Sequence, residues 1–225
     1  MRPQPILTMD VDAVWATIDQ QRLDLADLLD GLTEAEWEHP SLCAGWRVRD
    51  VAAHLALAQT GPARATADLV RAGGSLQRMI HDSAVRHAAA VPREQLVAGI
   101  RGMAGSRRKA PGISHLEPLL DVLVHGQDIA LPLGRPRPMP VDAAVTAATR
   151  VWTMPWPMST TFHTRRRLSG LRLVATDADW AAGEGQRVEG PIDALLLLLT
   201  GRTAAAVDRL SGPGVPRLRE GLPAR

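Results

Sequence analysis

The stretch ISHLEPLLDVLVHGQDIAL, residues 113–131, says more about the fold than any other part of the chain. Leu116, Leu119, Leu120, Leu123, Val124 and Ile129 recur in it at the spacing of an α-helix. Pro118 lacks a backbone donor, so it kinks a helix from within or sits in its first turn. A start near Glu117 is expected. Other helical stretches surround this one. Asp10 can cap a helix carrying Val14, Ile18, Leu25, Leu28, Leu29 and Leu32, with Gly31 near its end. A connector, residues 33–46, holds Pro40 and Gly45. A second helix is predicted from Arg47 towards Ala72, broken by Gly73-Gly74. Ser75 caps a third to about Ala90, and Pro92 opens a short fourth. After the loop 105–112 and the helix just described, a Pro/Gly/Arg linker over 132–140 leads to one more helix, from Val141 to about Met154.

Beyond Arg165-Arg166-Arg167 the period changes. Leu171, Leu173 and Ala175 alternate as in a strand, and residues 186–189 offer a second. Gly190-Pro191 then opens a helix from Ile192 to Thr200, stopped at Gly201, and residues 203–210 read as helical again. The pattern predicts a mainly α chain: a helical bundle over residues 1–160, then a small α+β domain over 165–225.

Composition excludes several classes of function. The net charge is only +2, Lys109 is the sole lysine, and there is no tyrosine and one phenylalanine, Phe162. The basic knots Arg107-Arg108-Lys109 and Arg165-Arg166-Arg167 therefore lack aromatic partners for stacking on bases, and read as solvated loops; no nucleic-acid partner is expected. Cys43 is the only cysteine, which rules out an internal disulfide and a cysteine-rich zinc cluster. The first ten residues show no secretory pattern. The apolar run from Ile192 to Leu199 is interrupted by Asp193 and too short to span a bilayer. A cytoplasmic protein without membrane partners is expected.

Asp121 and His125 lie four apart and project from one helix face, where a carboxylate and an imidazole can chelate one ion without bending the backbone. His54, set within Val51-Ala52-Ala53-His54-Leu55-Ala56, is the natural third ligand, because such a position faces a bundle core. Three N/O ligands leave a coordination position open, as catalytic sites do. From residue types alone, a core histidine hydrogen-bonded to a carboxylate gives the same pattern.

The segment from Leu42 to Leu55, LCAGWRVRDVAAHL, resembles the signature of the mycothiol-dependent maleylpyruvate isomerase family within the DinB-like metalloenzymes. So does Val124-His125-Gly126-Gln127-Asp128-Ile129-Ala130 with Leu133-Gly134 behind it. The tail from Leu171, with Gly190-Pro191 and Leu199-Thr200-Gly201-Arg202, resembles the small domain that often follows. The resemblance implies a DinB-like four-helix bundle holding zinc or a similar divalent ion on His54, Asp121 and His125. Two positions depart from the family pattern. Asp121 stands where glutamate is usual, and Arg47 replaces a capping Thr or Ser.

The resemblance also implies the chemistry. Mycothiol is the implied thiol cosubstrate, its sulfur held at the open position as thiolate and attacking a small electrophile. An isomerase adds the thiol to an activated double bond, lets it rotate and expels the thiol; an S-transferase releases the adduct. The alternative on the same scaffold is a non-catalytic metal or small-molecule binder, and a homodimer is an open option. Among the remaining residues, Asp128 either orients His125 or pairs with Arg47 or Arg49, and Asp50 complements the helix dipole. Cys43 reads as a small buried or loop residue, with a reactive thiol as the alternative. Trp15 and Trp37 belong to the core, Trp46 anchors the helix start, and Trp152 and Trp156 are candidates for the pocket mouth. His39, His81, His87, His115 and His163 are assigned to the surface.

Overall fold

The computed structural model describes residues 9–110, 112–135, 137–155 and 158–222. They divide into two compact units, one spanning Val11–Arg137 and the other Pro138–Arg225 with the residues up to Asp10.

The first unit is helical: α1 (Val11–Asp30), α2 (Glu34–Trp37), α3 (Val48–Ala56), α4 (Pro62–Arg71), α5 (Leu76–Ala90), α6 (Arg93–Arg101) and α7 (Leu116–Ala130). Helices α1, α6, α3 and α7 close a ring of four, α1 packing on α6 and α7, and α3 packing on the same two. Helix α5 covers α3 from outside, and α4 rests on α5. Leu25, Leu29, Val51, Leu96, Ile100, Val122 and Ile129 fill the centre, joined by Trp37 and Trp46. This is the expected four-helix bundle.

Two local features differ from expectation. The helix predicted from Arg47 to Ala72 is two helices, because Gly61-Pro62 interrupts it. Pro62 cannot donate to the preceding turn, and it sits instead in the first turn of α4. His54 consequently belongs to the last turn of α3. The connector 33–46 also contains a helix, α2, closed by a capping box. The Glu36 N–H donates to Thr33 Oγ1 (3.3 Å), and Thr33 N–H donates to Glu36 Oε2 (2.8 Å). That bond and the guanidinium of Arg135, at 2.6 Å, hold the Glu36 carboxyl down at about 2.

Helix α7 starts at Leu116 with Pro118 in its first turn, one residue from the expected start. Ser114 Oγ accepts the Leu116 N–H, and Glu117 accepts the Ser114 N–H and hydroxyl. At α3 the arginine cannot act as a capping acceptor. Asp50, three residues on, supplies the other half of a cap: its Oδ2 accepts the Arg47 N–H at 2.9 Å and Nε at 3.0 Å. Glu38 takes both the Arg47 and the Arg49 guanidinium.

The second unit contains α8 (Val141–Thr153), α9 (Thr164–Arg167), β1 (Leu171–Ala175), β2 (Ala181–Gly183), β3 (Gln186–Gly190), α10 (Ile192–Leu199), α11 (Thr203–Ala206) and α12 (Val215–Glu220). The sheet order is β2-β1-β3, with β2 antiparallel and β3 parallel to β1. Leu171, Leu173 and Ala175 face inward as the alternation predicts. Strand β2, only Ala181-Ala182-Gly183, carries no alternation to read. Helix α10 is apolar except for Asp193 in its first turn, and its remaining residues are buried between α8 and the sheet. Helix α8 thus packs within this unit, and Trp180 Nε1 ties to its Thr149 Oγ1 at 3.1 Å. The division between units accordingly falls at residues 137–138, where the sequence pattern put it at 160–165. Arg165 and Arg167 are engaged locally, on Trp152 and on the Leu198 carbonyl. Among the described residues no helix is long and apolar enough to cross a membrane.

Asp50 is buried and carries the start of α3, so Asp50→Ala is expected to cost about 1–2 kcal/mol. Urea unfolding monitored by circular dichroism measures the loss.

Candidate metal centre

Helix α7 presents Asp121 and His125 one turn apart, and the last turn of α3, its neighbour in the ring, presents His54. One donor atom from each of the three lies within 4.8 Å of the others. The two imidazoles meet edge to face, with ring centroids 4.9 Å apart. Asp121, shorter by one methylene than the glutamate of the family pattern, still reaches the cluster. All three side chains are half-buried.

Behind His125 lies Asp128, which has no exposed surface. Its Oδ2 accepts from His125 Nδ1 at 2.8 Å, so the other ring nitrogen is left for a ligand. Arg47 and Arg49, the rival partners for Asp128, are bound instead to Asp50 and Glu38. The Cys43 thiol is 3.1 Å from the same Asp128 oxygen and 3.6 Å from His125 Nδ1. Trp46, next along the connector after Gly45, packs at 5.4 Å from the His54 ring and 6.4 Å from the His125 ring. Its indole nitrogen is buried without a hydrogen-bond partner, so packing alone holds the ring.

The electrostatics separate the two histidines. Burial, reinforced by the charge of His125, pushes His54 down to about 3, and it stays neutral. Burial pulls His125 down as well, but the hydrogen bonds and charges of Asp128 and Cys43 outweigh it and raise the imidazole to about 10. A metal would therefore meet His54 ready to bind and would displace one proton from His125.

The residues between His125 and Asp128 have roles of their own. Gly126 lies under the buried guanidinium of Arg137, which a Cβ would approach to 2.7 Å. Arg137 bonds Gln21 through both terminal nitrogens, and Gln127 Nε2 donates to the Arg137 carbonyl. Burial lowers Arg137 to about 10. On the opposite flank, Asp121 and the buried Arg22 line a small cavity with Leu25, Leu55, Ile100 and Met103.

The structure thus brings together the pair singled out by spacing, Asp121 and His125, with His54, singled out by its apolar setting. Sequence reasoning missed the position of Cys43, which meets Asp128 across 85 residues, a separation that leaves no local signal. His81, assigned to the surface, is half exposed, yet its ring lies 6.0 Å from Trp46. Trp152 packs within the second unit, under Arg165, and Trp156 lies outside the described residues.

Fold and cluster define a four-helix bundle protein with two histidines and one carboxylate gathered between adjacent helices. Two crystal structures share the fold. The mycothiol-dependent maleylpyruvate isomerase aligns with a TM-score of 0.60 at 16% identity, and a histidine-to-alanine variant of it with 0.63 at 14%. Each alignment covers 91% of this chain and 93% of the other. Residues 18–112 match the model of the mycothiol maleylpyruvate isomerase N-terminal domain. That match includes His54 and Cys43 and stops before α7, so Asp121 and His125 rest on the geometry. No curated protein matches the sequence.

Gly126→Ala is expected to destabilise the bundle by about 1–3 kcal/mol by forcing Arg137 off Gln21. Gly99→Ala, at an exposed position of α6, meets only Ala56 Cβ at 3.7 Å and should stabilise by up to about 1 kcal/mol. Opposite signs in chemical unfolding would support this account, and equal ones would contradict it.

Proposed function

We propose that this chain is a metal-dependent thiol enzyme, a mycothiol-dependent S-transferase or maleylpyruvate-isomerase-like enzyme, using zinc on His54, Asp121 and His125. The convergence of those three donor atoms carries the reading. The domain family of residues 18–112 and the fold shared with the isomerase support it.

The residues fit the group. Two imidazoles and one carboxylate suit a divalent ion, zinc first among nickel, iron and manganese, and three protein ligands leave a position free. Bound there, the ion supplies a Lewis-acidic position at which a thiol cosubstrate is held as thiolate at neutral pH. The chain's own groups do the rest of the preparation. Asp128 fixes the His125 ring through Nδ1, and burial keeps His54 unprotonated. Trp46 walls both imidazoles.

The sulfur electron pair then forms an S–C bond to the electrophilic carbon, while the displaced π pair moves onto the conjugated carbonyl. For isomerisation, rotation about the new single bond is followed by the reverse step, which returns the thiolate and the rearranged double bond. For transfer, a proton taken up at carbon leaves the S–C bond in place.

Metal analysis of the chain purified without chelators should find about one equivalent of zinc, lost in His54→Ala together with thiol-dependent turnover of an activated enone. Full turnover in that variant would sink the proposal. Thermal stabilisation by the thiol with no turnover of the enone, by addition or by isomerisation, would mark a binder instead.

A further inference from the structure

The connector 41–46 is a knot of hydrogen bonds around Cys43. Its N–H donates to Ser41 Oγ at 3.1 Å, and its carbonyl accepts the Trp46 N–H at 3.0 Å. Ser41 Oγ also donates to the Trp46 carbonyl at 2.8 Å. Gly45 closes the turn at a φ of +79°, where a side chain would be strained. The backbone on both sides of the sulfur is therefore held.

The knot is also fastened to α7 at one residue. The Leu42 N–H donates to the Asp128 main-chain oxygen at 3.1 Å, and the Cys43 thiol reaches Asp128 Oδ2 at 3.1 Å. That oxygen also accepts from His125 Nδ1 at 2.8 Å. A fully buried carboxylate keeps its rotamer only while donors meet it.

From this arrangement, and resting on the metal reading above, we infer that Cys43 is a positioning residue. Its S–H holds the Asp128 carboxylate in the orientation that turns the free nitrogen of His125 towards His54 and Asp121. Cys43 acts through Asp128 and touches neither cosubstrate nor electrophile. The geometry argues against a nucleophilic thiol. The ring nitrogen that would take its proton is already committed to Asp128 at the shorter distance, 2.8 Å against 3.6 Å.

The test uses the full chain, stripped of metal and titrated with Co²⁺ or Zn²⁺ against a competing chelator. Cys43→Ala is expected to weaken metal affinity about 3–10-fold and to alter the Co²⁺ ligand-field spectrum. Asp128→Asn should lose about 10–100-fold, and Cys43→Ser, whose hydroxyl still donates, should return to within about twofold of the unaltered chain. A purely structural thiol would lower the melting temperature of the metal-free chain and leave the affinity of the folded protein unchanged. If the alanine variant does not fold, Cys43→Val fills the space without a donor and is read against Cys43→Ser. Unchanged affinity in the donor-less variant overturns the inference while leaving the metal site standing. Two metals per unaltered chain, falling to one without the thiol, would overturn it too by making Cys43 a ligand. No metal on the unaltered chain would instead bring down the reading on which the inference depends.

Discussion

Asp128 is a carboxylate with no exposed surface, and a buried charge of that kind persists only where hydrogen bonds replace its water. Two of the groups that meet it come from parts of the chain far apart in sequence, His125 on its own helix and Cys43 on the connector before α3. Satisfying Asp128 therefore fixes where residues 41–47 lie on α7. Those residues carry Trp46 into the core and set the start of the helix that brings His54. Fold and site share this one requirement. The connector that looks like a loop in sequence is the part of the bundle that registers α3 against α7.

The same carboxylate creates the asymmetry of the two histidines. Both rings suffer burial, and they are close enough for charge on one to oppose charge on the other. Asp128 stabilises the cation on His125, while burial first and the charge of His125 second keep His54 neutral. An apolar wall of Trp46 on the imidazoles strengthens each of these interactions by excluding water. The cluster is thereby held in one protonation pattern before any ligand arrives.

Much of this was legible in the sequence, for reasons that are local. Asp121 and His125 share a face at any helix of regular pitch, and the apolar run around them leaves no other secondary structure to choose. His54 was found because a lone imidazole among alanines and valines has to point at something. The break at Gly61-Pro62 was local too, yet the helix-breaking pair Gly73-Gly74 stood in its place as the predicted stop. Helix α2 has four residues and owes its existence to the reciprocal cap of Thr33 and Glu36 and to burial of Trp37, which no periodicity reveals. The placement of α8 with α10 depends on how the largely apolar Ile192–Leu199 helix is covered, a tertiary choice. Cys43 was out of reach for the same reason, since its partner is defined by packing and not by spacing.

Arg22 and Asp121 decide how the ligand set can be probed. Arg22 is buried in α1, bonded to the Met103 carbonyl at 3.1 Å and 3.9 Å from Asp19. Desolvation lowers its guanidinium, and the charges of Asp19 and Asp121 offset that loss. Removing the Asp121 carboxylate would take away a candidate ligand and leave a buried cation with less compensation, two effects of the same sign on the folded protein. Truncating His54 removes a ring that burial keeps neutral, so no buried charge loses its compensation. A loss of metal in His54→Ala therefore reports on ligation more directly than the same loss in Asp121→Ala. Asp121→Asn, which keeps the volume and one oxygen while deleting the charge, separates the two contributions when its metal affinity and its metal-free stability are compared.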